Sequence, residues 1–152
     1  MISESDGELY RKYGDELIRF ATALVGPSGA EDVLATALIR CFSSRHWPAV
    51  TNRRAYLYRV VTNEAFKVRR STQRRLNREA RVAVVDAYTD GPEDVDVLRA
   101  LRRLTPRQRA VGHLTYWQDL PAHEVADLLG LSVRTVEREL NATRRRLEEL
   151  LS

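Results

Sequence analysis

Cysteine is almost missing from this 152-residue sequence, in which Cys41 is the only one. A single cysteine cannot form a disulfide within the chain, and this favours a reducing compartment such as the cytoplasm. No run of about 18 apolar residues occurs, so we expect no segment that spans a membrane. The first ten residues, MISESDGELY, are acidic and polar, unlike a secretory signal. The sequence therefore predicts a cytoplasmic protein.

The usual patterns of catalytic and metal sites are also missing. His46, His113 and His123 are far apart and have no cysteines at the spacing of a zinc site. The sequence contains no Gly-rich phosphate loop, no GxSxG turn and no HExxH helix. Cys41 lies on the apolar face of a predicted helix, where a thiol is usually inert. We therefore expect no enzymatic activity, no metal and no cofactor.

The sequence does contain enough apolar residues, 43%, for a packed core. Its net charge of +4 is uneven, because residues 1–92 have 15 Lys and Arg against 11 Asp and Glu, whereas residues 93–152 have 10 of each. The excess is greatest in residues 67–81, KVRRSTQRRLNREAR, with seven basic residues and one acidic. Such a run is either a solvated helix face or a surface for a polyanion, since Lys and Arg supply much of the affinity for nucleic-acid phosphates.

Apolar residues recur at helical spacing along most of the chain, and no alternating pattern indicates a strand. In the first half this spacing predicts three helices, the second capped by Ser28 and the third running from about Arg53 to Arg70. Periodicity then weakens as far as Pro92, which predicts a boundary between two units. We predict an all-α protein with two small helical domains, residues 1–70 and 93–152, joined by a short linker over residues 71–92.

The second domain is predicted to begin with an apolar stripe at Val95, Leu98, Leu101 and Leu104. Thr105-Pro106 predicts the start of a helix through Trp117, because threonine suits the N-cap and proline the first helical position. Two more helices are predicted over about 121–129 and 132–150.

Residues 123–140, HEVADLLGLSVRTVEREL, have the pattern of a helix-turn-helix. Ala126 lets two helices cross closely, Gly130 can take the left-handed conformation that ends the first helix, and Ser132 can cap the second. Such a second helix enters the major groove of DNA. A plain helical hairpin has the same pattern, and Glu137 and Glu139 are unusual so near the tip of a helix that faces phosphates.

Longer segments resemble a known family. Residues 101–151, LRRLTPRQRAVGHLTYWQDLPAHEVADLLGLSVRTVERELNATRRRLEELL, resemble region 4 of bacterial RNA polymerase sigma factors. Upstream, LYRKYGDELIRFATALVG, AEDVLATALIRCF and RRAYLYRVVTNEAFKVRR resemble region 2 of the extracytoplasmic-function (ECF) group of the sigma-70 family. The resemblance covers about residues 8–150. It implies a region 2-like helical bundle and a region 4-like helix-turn-helix, in an alternative sigma factor that binds core RNA polymerase and directs promoter-specific transcription initiation.

The resemblance implies that the helix AEDVLATALIRCF docks on the clamp helices of the largest polymerase subunit. The residues implied for this contact are Asp32, Ala35, Thr36, Ile39 and Arg40. Many members of the family have Gln-Glu or Gln-Thr where this chain has Ala35-Thr36. The missing glutamine removes a polar contact, which we expect to weaken binding to core polymerase.

Residues 47–70 resemble the element that recognises the −10 promoter motif, where an unstacked base is held beside aromatic and basic side chains. The residues implied near the non-template strand are Trp47, Asn52, Arg53, Arg54, Tyr56, Arg59 and Asn63, with Lys67, Arg69 and Arg70 on phosphates. Core packing is the other interpretation of Trp47 and Tyr56.

Region 4 implies that the last helix lies in the major groove of the −35 motif. The residues implied there are Ser132, Arg134, Thr135, Glu137, Arg138, Asn141, Arg144 and Arg145, the last two on phosphates. For Glu139 we favour an ion pair with Arg134 or Arg138. For Glu137 such a pair and a contact with a cytosine amino group both remain open. Arg107 and Arg109 are further candidates for backbone contacts.

The resemblance implies core RNA polymerase and promoter DNA as partners, and it allows for an anti-sigma factor. It implies no small-molecule substrate and no direct membrane insertion. Two other functions remain open from the sequence. One is a transcription regulator that binds duplex DNA through residues 93–152 alone, although that half has no net charge. The other is a sigma-like adaptor without promoter activity, for which Ala35 is the only indication.

Overall fold

The computed structural model describes residues 4–79, 100 and 103–151, and for residues 4 and 72–79 it describes the backbone alone. The chain divides into two compact units, residues 1–83 and residues 84–152. The described elements are helical, with no strand among the described residues, and the prediction of an all-α fold is confirmed. Residues 80–92 of the predicted linker and the predicted stripe at Val95, Leu98 and Leu101 lie outside the described residues.

The first unit is a bundle of three helices that pack against one another. These are α1 (Glu4–Val25), α2 (Pro27–Ser43) and α3 (Arg53–Glu79), and a single turn of 3-10 helix (Trp47–Ala49) lies between α2 and α3. The largest fully buried side chains of its core come from α1 and α3: Leu17, Phe20, Leu24, Leu57, Tyr58 and Val61. The rings of Phe20 and Tyr58 meet at 4.9 Å between centroids and fix α1 against α3.

Two helix ends in this unit differ from the prediction. Ser28 does not cap α2, because Pro27 is already the first helical residue and Gly26, with φ 94°, makes the break after α1. The third helix continues beyond Arg70 and is described as far as Glu79. The added residues are mostly arginine, glutamine, leucine and glutamate, which favour a helix without an apolar stripe to reveal it.

The second unit contains α4 (Pro106–Gly112), α5 (Ala122–Leu129) and α6 (Val133–Leu151). Thr105 and Gln108 form a reciprocal capping box at the start of α4, with the threonine hydroxyl 3.1 Å from the glutamine backbone nitrogen. The helix predicted through Trp117 changes at His113 into one turn of π-helix (His113–Trp117). The core of this unit includes five buried apolar side chains: Val111, Leu114, Val125, Leu128 and Val136.

The turn between α5 and α6 has the geometry that its sequence indicates. Gly130 has φ 69° and ψ 34°, the left-handed conformation, and its N–H and that of Leu131 both donate to the carbonyl of Ala126. Ser132 then accepts the N–H of Thr135 at 3.1 Å and caps α6. After this turn α6 begins, and its first residues, Val133 and Arg134, are exposed.

Candidate functional site

One face of α2 is left uncovered by the rest of its unit. Asp32, Ala35, Thr36, Ile39 and Arg40 are all exposed and form a single stripe at helical spacing, while the opposite face of α2 is buried. Ile39 is 66% exposed, an unusual environment for an isoleucine in a monomer. The five residues implied for polymerase binding thus share one continuous surface.

A groove of about 1030 Å³ lies beside this stripe, between α1 and α2. Ala35 and Ile39 belong to both the stripe and the groove. The remaining walls are largely apolar, and the side chains that supply them include Tyr10, Ile18, Leu34, Leu38 and Phe42. An apolar side chain of a partner can therefore insert next to the polar residues of the stripe.

Trp47, one of the predicted DNA-contacting residues, is buried in the first unit. Its side chain is 4% exposed and its indole N–H donates to the buried carboxylate of Asp6 at 2.9 Å. The ring also packs between Phe42 and Tyr56, with centroid distances of 5.4 and 5.7 Å. Trp47 is thus a core residue of the loop after α2, which favours the core-packing interpretation, and its contact with a DNA strand stays a prediction.

Arg54 and Arg69, which are among the predicted DNA contacts, bind partners inside the first unit. Arg54 binds Glu16, with Nε 2.7 Å from a carboxylate oxygen, and this hydrogen bond raises the pKa of the guanidinium above its usual value. Arg69 donates to the carbonyl of Leu24 at 3.0 Å and closes the carboxyl end of α1. Both side chains are half-buried and stabilise the fold, and their contact with DNA stays a prediction.

At the start of α3, Asn52 caps the helix and the guanidinium of Arg53 lies over the ring of Trp47. Asn52 is exposed, and its side-chain oxygen accepts the N–H of Ala55 at 3.1 Å, which fixes the first turn. The guanidinium carbon of Arg53 lies 4.9 Å from the centroid of the Trp47 ring, a cation–π arrangement. Arg53 and Tyr56 are both half-buried, with part of each residue at the surface.

Farther along α3, the remaining predicted residues form an exposed polar stripe. Arg59, Asn63, Lys67 and Arg70 are all exposed and follow one another at intervals of four, four and three residues. The stripe continues from Arg53 and Tyr56 along the same helix. Its composition, mostly cations with one amide, suits contact with phosphates and with the edge of a base.

The second unit presents a similar stripe on α6. Arg134, Glu137, Arg138, Asn141, Arg144 and Arg145 are all exposed, while Val136 and Thr143 are buried on the opposite side. Ser132 and Thr135 belong to the cap, since their hydroxyl oxygens lie 2.8 Å apart. Of the two further candidates, Arg107 is exposed but Arg109 is buried at 7% exposure, and burial removes Arg109 from the candidates for a DNA contact.

The ion pair favoured for Glu139 does not form. Within residues 103–151, neither Glu137 nor Glu139 has a carboxylate oxygen in an ion pair with Arg134 or Arg138. Glu139 is half-buried, and its backbone carbonyl accepts the hydroxyl of Thr143 at 2.7 Å. Glu137 belongs to the exposed stripe itself.

Sequence reasoning missed three carboxylates that organise the first unit. Asp6 binds Trp47, Glu16 binds Arg54, and Glu64 binds both Arg40 and Lys67. Asp6 and Glu64 are buried at 4% and 7% exposure. A signal was present for Glu64, because it follows Val61 by three residues on the apolar side of α3.

The described residues give little support for a reactive thiol, a metal site or a membrane-spanning helix. Burial raises the pKa of the Cys41 thiol to about 12, which makes the thiolate scarce at neutral pH. No group of three His, Cys, Asp or Glu side chains in the described ranges is placed to hold a metal ion. None of the described helices is long and apolar enough to cross a membrane.

Comparison with known proteins agrees with both units. The family model for Sigma-70 region 2 matches residues 9–75, and the model for Sigma-70, region 4 matches residues 94–147. The chain is 34% identical to an RNA polymerase sigma-E factor of Streptomyces avermitilis, over 95% of this chain and 83% of the relative. It is 32% identical to the RNA polymerase sigma-E factor of Streptomyces coelicolor, over 95% of this chain and 84% of the relative.

Solved structures show the same fold. The sigma factor RpoE of Bartonella quintana, in complex with the anti-sigma factor NepR, matches with a TM-score of 0.72 and 21% identity over 98% of both chains. CnrH, in complex with the cytosolic domain of CnrY, matches with a TM-score of 0.65 and 25% identity over 96% of this chain and 86% of CnrH. The chain belongs to the extracytoplasmic-function group of the sigma-70 family, the alternative sigma factors that direct promoter-specific initiation of transcription.

Proposed function

We propose that the three exposed stripes divide the work of a sigma factor among three helices. The stripe on α2 binds the clamp helices of core RNA polymerase. The stripe on α3, together with Arg53 and Tyr56, holds the non-template strand of the −10 motif. The stripe on α6 lies in the major groove of the −35 motif. The observation that carries this proposal is that each stripe is exposed opposite a buried face of the same helix.

On α6 we assign base contacts to the side chains nearest the start of the helix. Arg134, Arg138 and Asn141 have donors that suit acceptors on base edges, and Arg144 and Arg145 suit phosphates. Glu137 lies in the same stripe, and a carboxylate accepts from the amino group of cytosine. We therefore assign Glu137 to a cytosine in the −35 motif.

The charge distribution supports a division of DNA binding between the units. Residues 93–152 have 10 basic and 10 acidic residues, whereas residues 1–92 have an excess of four basic residues. A DNA-binding unit without net charge gains little affinity from neutralising phosphates. The second unit therefore needs polymerase and the first unit to hold the promoter.

We further propose that the protein is a non-catalytic, cytoplasmic factor controlled by an anti-sigma protein. The structure of CnrH contains the cytosolic domain of CnrY, and that of RpoE contains the anti-sigma factor NepR. In this chain the groove between α1 and α2 adjoins the polymerase-binding stripe, with Ile39 exposed in both. A partner in the groove covers the stripe and blocks polymerase.

The proposal is tested by selecting promoters from a random DNA library with core polymerase plus this chain. The expected result is recovery of sequences with two motifs and run-off transcription that requires the chain. Arg138→Ala, on the stripe of α6, is expected to lower transcription, whereas exposed Arg45→Ala serves as the matched control. Failure to bind core polymerase and to initiate at any sequence contradicts the proposal. Tight, specific binding of the chain alone to a duplex indicates a regulator instead.

A further inference from the structure

Trp47 lies between α2 and α3 and contacts residues of all three helices of the first unit, including Asp6 of α1. Its ring contacts Phe42 of α2 and Tyr56 of α3, and the guanidinium of Arg53 lies over it at 4.9 Å. Arg53 and Tyr56 are the half-exposed side chains at the start of the proposed strand-binding stripe. The indole therefore packs against both of these side chains.

Asp6 gives this indole a fixed orientation. The carboxylate belongs to a residue that is 4% exposed and lies in the first turn of α1, and it accepts the indole N–H at 2.9 Å from a residue 41 positions away. An apolar residue fills such a position at no electrostatic cost, whereas a buried carboxylate is tolerated only when hydrogen bonds satisfy it. Indole N–H is only a donor, so the bond also selects which edge of the ring faces α1.

We propose that Asp6 is a positioning residue for promoter opening, because its hydrogen bond fixes Trp47 and through it Arg53 and Tyr56. This inference rests on the proposed function of the α3 stripe and names a residue outside that stripe. Asp6 itself is buried, so we assign it no direct contact with DNA. We expect its effect on the separation of the strands, which requires the stripe to be in place. Asp6 also lines the groove between α1 and α2, so affinity for core polymerase is measured beside transcription.

The test compares two templates that carry one promoter selected by the wild-type chain. In the first the promoter is fully paired, and in the second the −10 region is held open by mismatches. Asp6→Ala removes the acceptor, Trp47→Phe removes the donor while keeping an aromatic ring, and Asp6→Asn keeps an acceptor oxygen. Glu8→Ala, an exposed change on the same helix, is the control. Transcription, affinity for core polymerase and thermal unfolding are measured for each holoenzyme or chain.

We expect Asp6→Ala and Trp47→Phe to lower transcription from the paired template about tenfold, the loss expected for a hydrogen bond to a charged group. Both variants remain near wild type on the open template, the double variant is no worse than either single one, and Asp6→Asn recovers most activity. Wild-type rates on the paired template for both single variants overturn the inference. Equal losses on both templates, with lower thermal stability, also overturn it, because they indicate a general role in folding.

The wild-type chain separates this inference from the proposed function. If wild type fails to initiate on either template, the proposed function is wrong. If wild type initiates and the Asp6 and Trp47 variants transcribe the paired template at the wild-type rate, only the inference about Asp6 is wrong.

Discussion

The Nε atom of Arg40 on α2 lies 2.9 Å from the carboxylate of Glu64 on α3. The two partners differ sharply in exposure, since the Arg40 side chain is 58% exposed and that of Glu64 only 9%. Lys67, of the α3 stripe, approaches the same carboxylate at 3.3 Å. One buried acid thus connects a residue of the polymerase-binding stripe with a residue of the DNA-binding stripe.

This difference in exposure predicts that removing Arg40 costs more stability than neutralising Glu64. Arg40→Ala leaves a buried carboxylate with one fewer cation, and solvent screening of the exposed arginine keeps the expected loss to about 1 kcal/mol. Glu64→Gln removes the buried charge and leaves only exposed cations, so we expect a change near zero. Urea unfolding followed by circular dichroism measures both, with Arg45→Ala as an exposed control. A larger loss for Glu64→Gln than for Arg40→Ala contradicts this explanation.

Ala35 provides a test of polymerase affinity at a site where the structure leaves room. The residue is exposed on α2 at the groove, so a longer side chain is not forced into the core. We expect Ala35→Gln to tighten binding to core polymerase several-fold, since one added hydrogen bond contributes about 1 kcal/mol. Fluorescence anisotropy of the labelled chain measures the affinity, and Ala35→Ser is the matched control for a short polar side chain. A very large gain, with transcription appearing only in the variant, favours a degenerate adaptor over an active sigma factor.

Gly130 is the position in the helix-turn-helix where an added Cβ is most costly. With φ 69°, alanine there is expected to destabilise the second unit by about 1–2 kcal/mol. Gly7, inside α1, is the matched control, because a Cβ added there meets only the flexible end of Arg11, at 3.8 Å. Alanine at Gly7 is therefore expected to be neutral or stabilising. Thermal unfolding measures both variants, and equal stability shows that the turn does not depend on the left-handed conformation.

The parts of the sites that sequence predicts well are those set by local periodicity. The exposed stripes of α2 and α6 follow directly from 3.6-residue spacing, because a helix that buries one face exposes the other. The turn at Gly130 is equally local, since its two hydrogen bonds reach back only to Ala126.

Three residues of the predicted DNA-contacting set bind partners that lie far away in sequence. Trp47 binds Asp6 across 41 residues, Arg54 binds Glu16 across 38 and Arg69 binds the Leu24 carbonyl across 45. An arginine bound to a distant acid and an arginine that faces DNA look alike in sequence. The distinction depends on how the helices approach one another, which the spacing within one helix does not contain.

Glu137 gives the sharpest test of how α6 reads DNA. A contact with one cytosine affects only one base pair, whereas a phosphate contact affects all sequences alike. We therefore expect Glu137→Ala to relax the preference at a single −35 position while leaving the order of preference at the other positions unchanged. A mismatched base pair typically costs about 1–3 kcal/mol, and this discrimination is what the variant loses.

Arg144→Ala is the contrasting variant on the same stripe, three residues after Asn141. It is expected to weaken promoter binding for every sequence about equally and to reduce the salt dependence by about one phosphate contact. A library of −35 single-base variants, transcribed at two salt concentrations, measures both effects together. If Glu137→Ala instead changes all promoters equally, its carboxylate acts only through the charge of α6. Because Glu137 repels phosphates in that case, its removal then strengthens binding throughout the library, the opposite sign from Arg144→Ala.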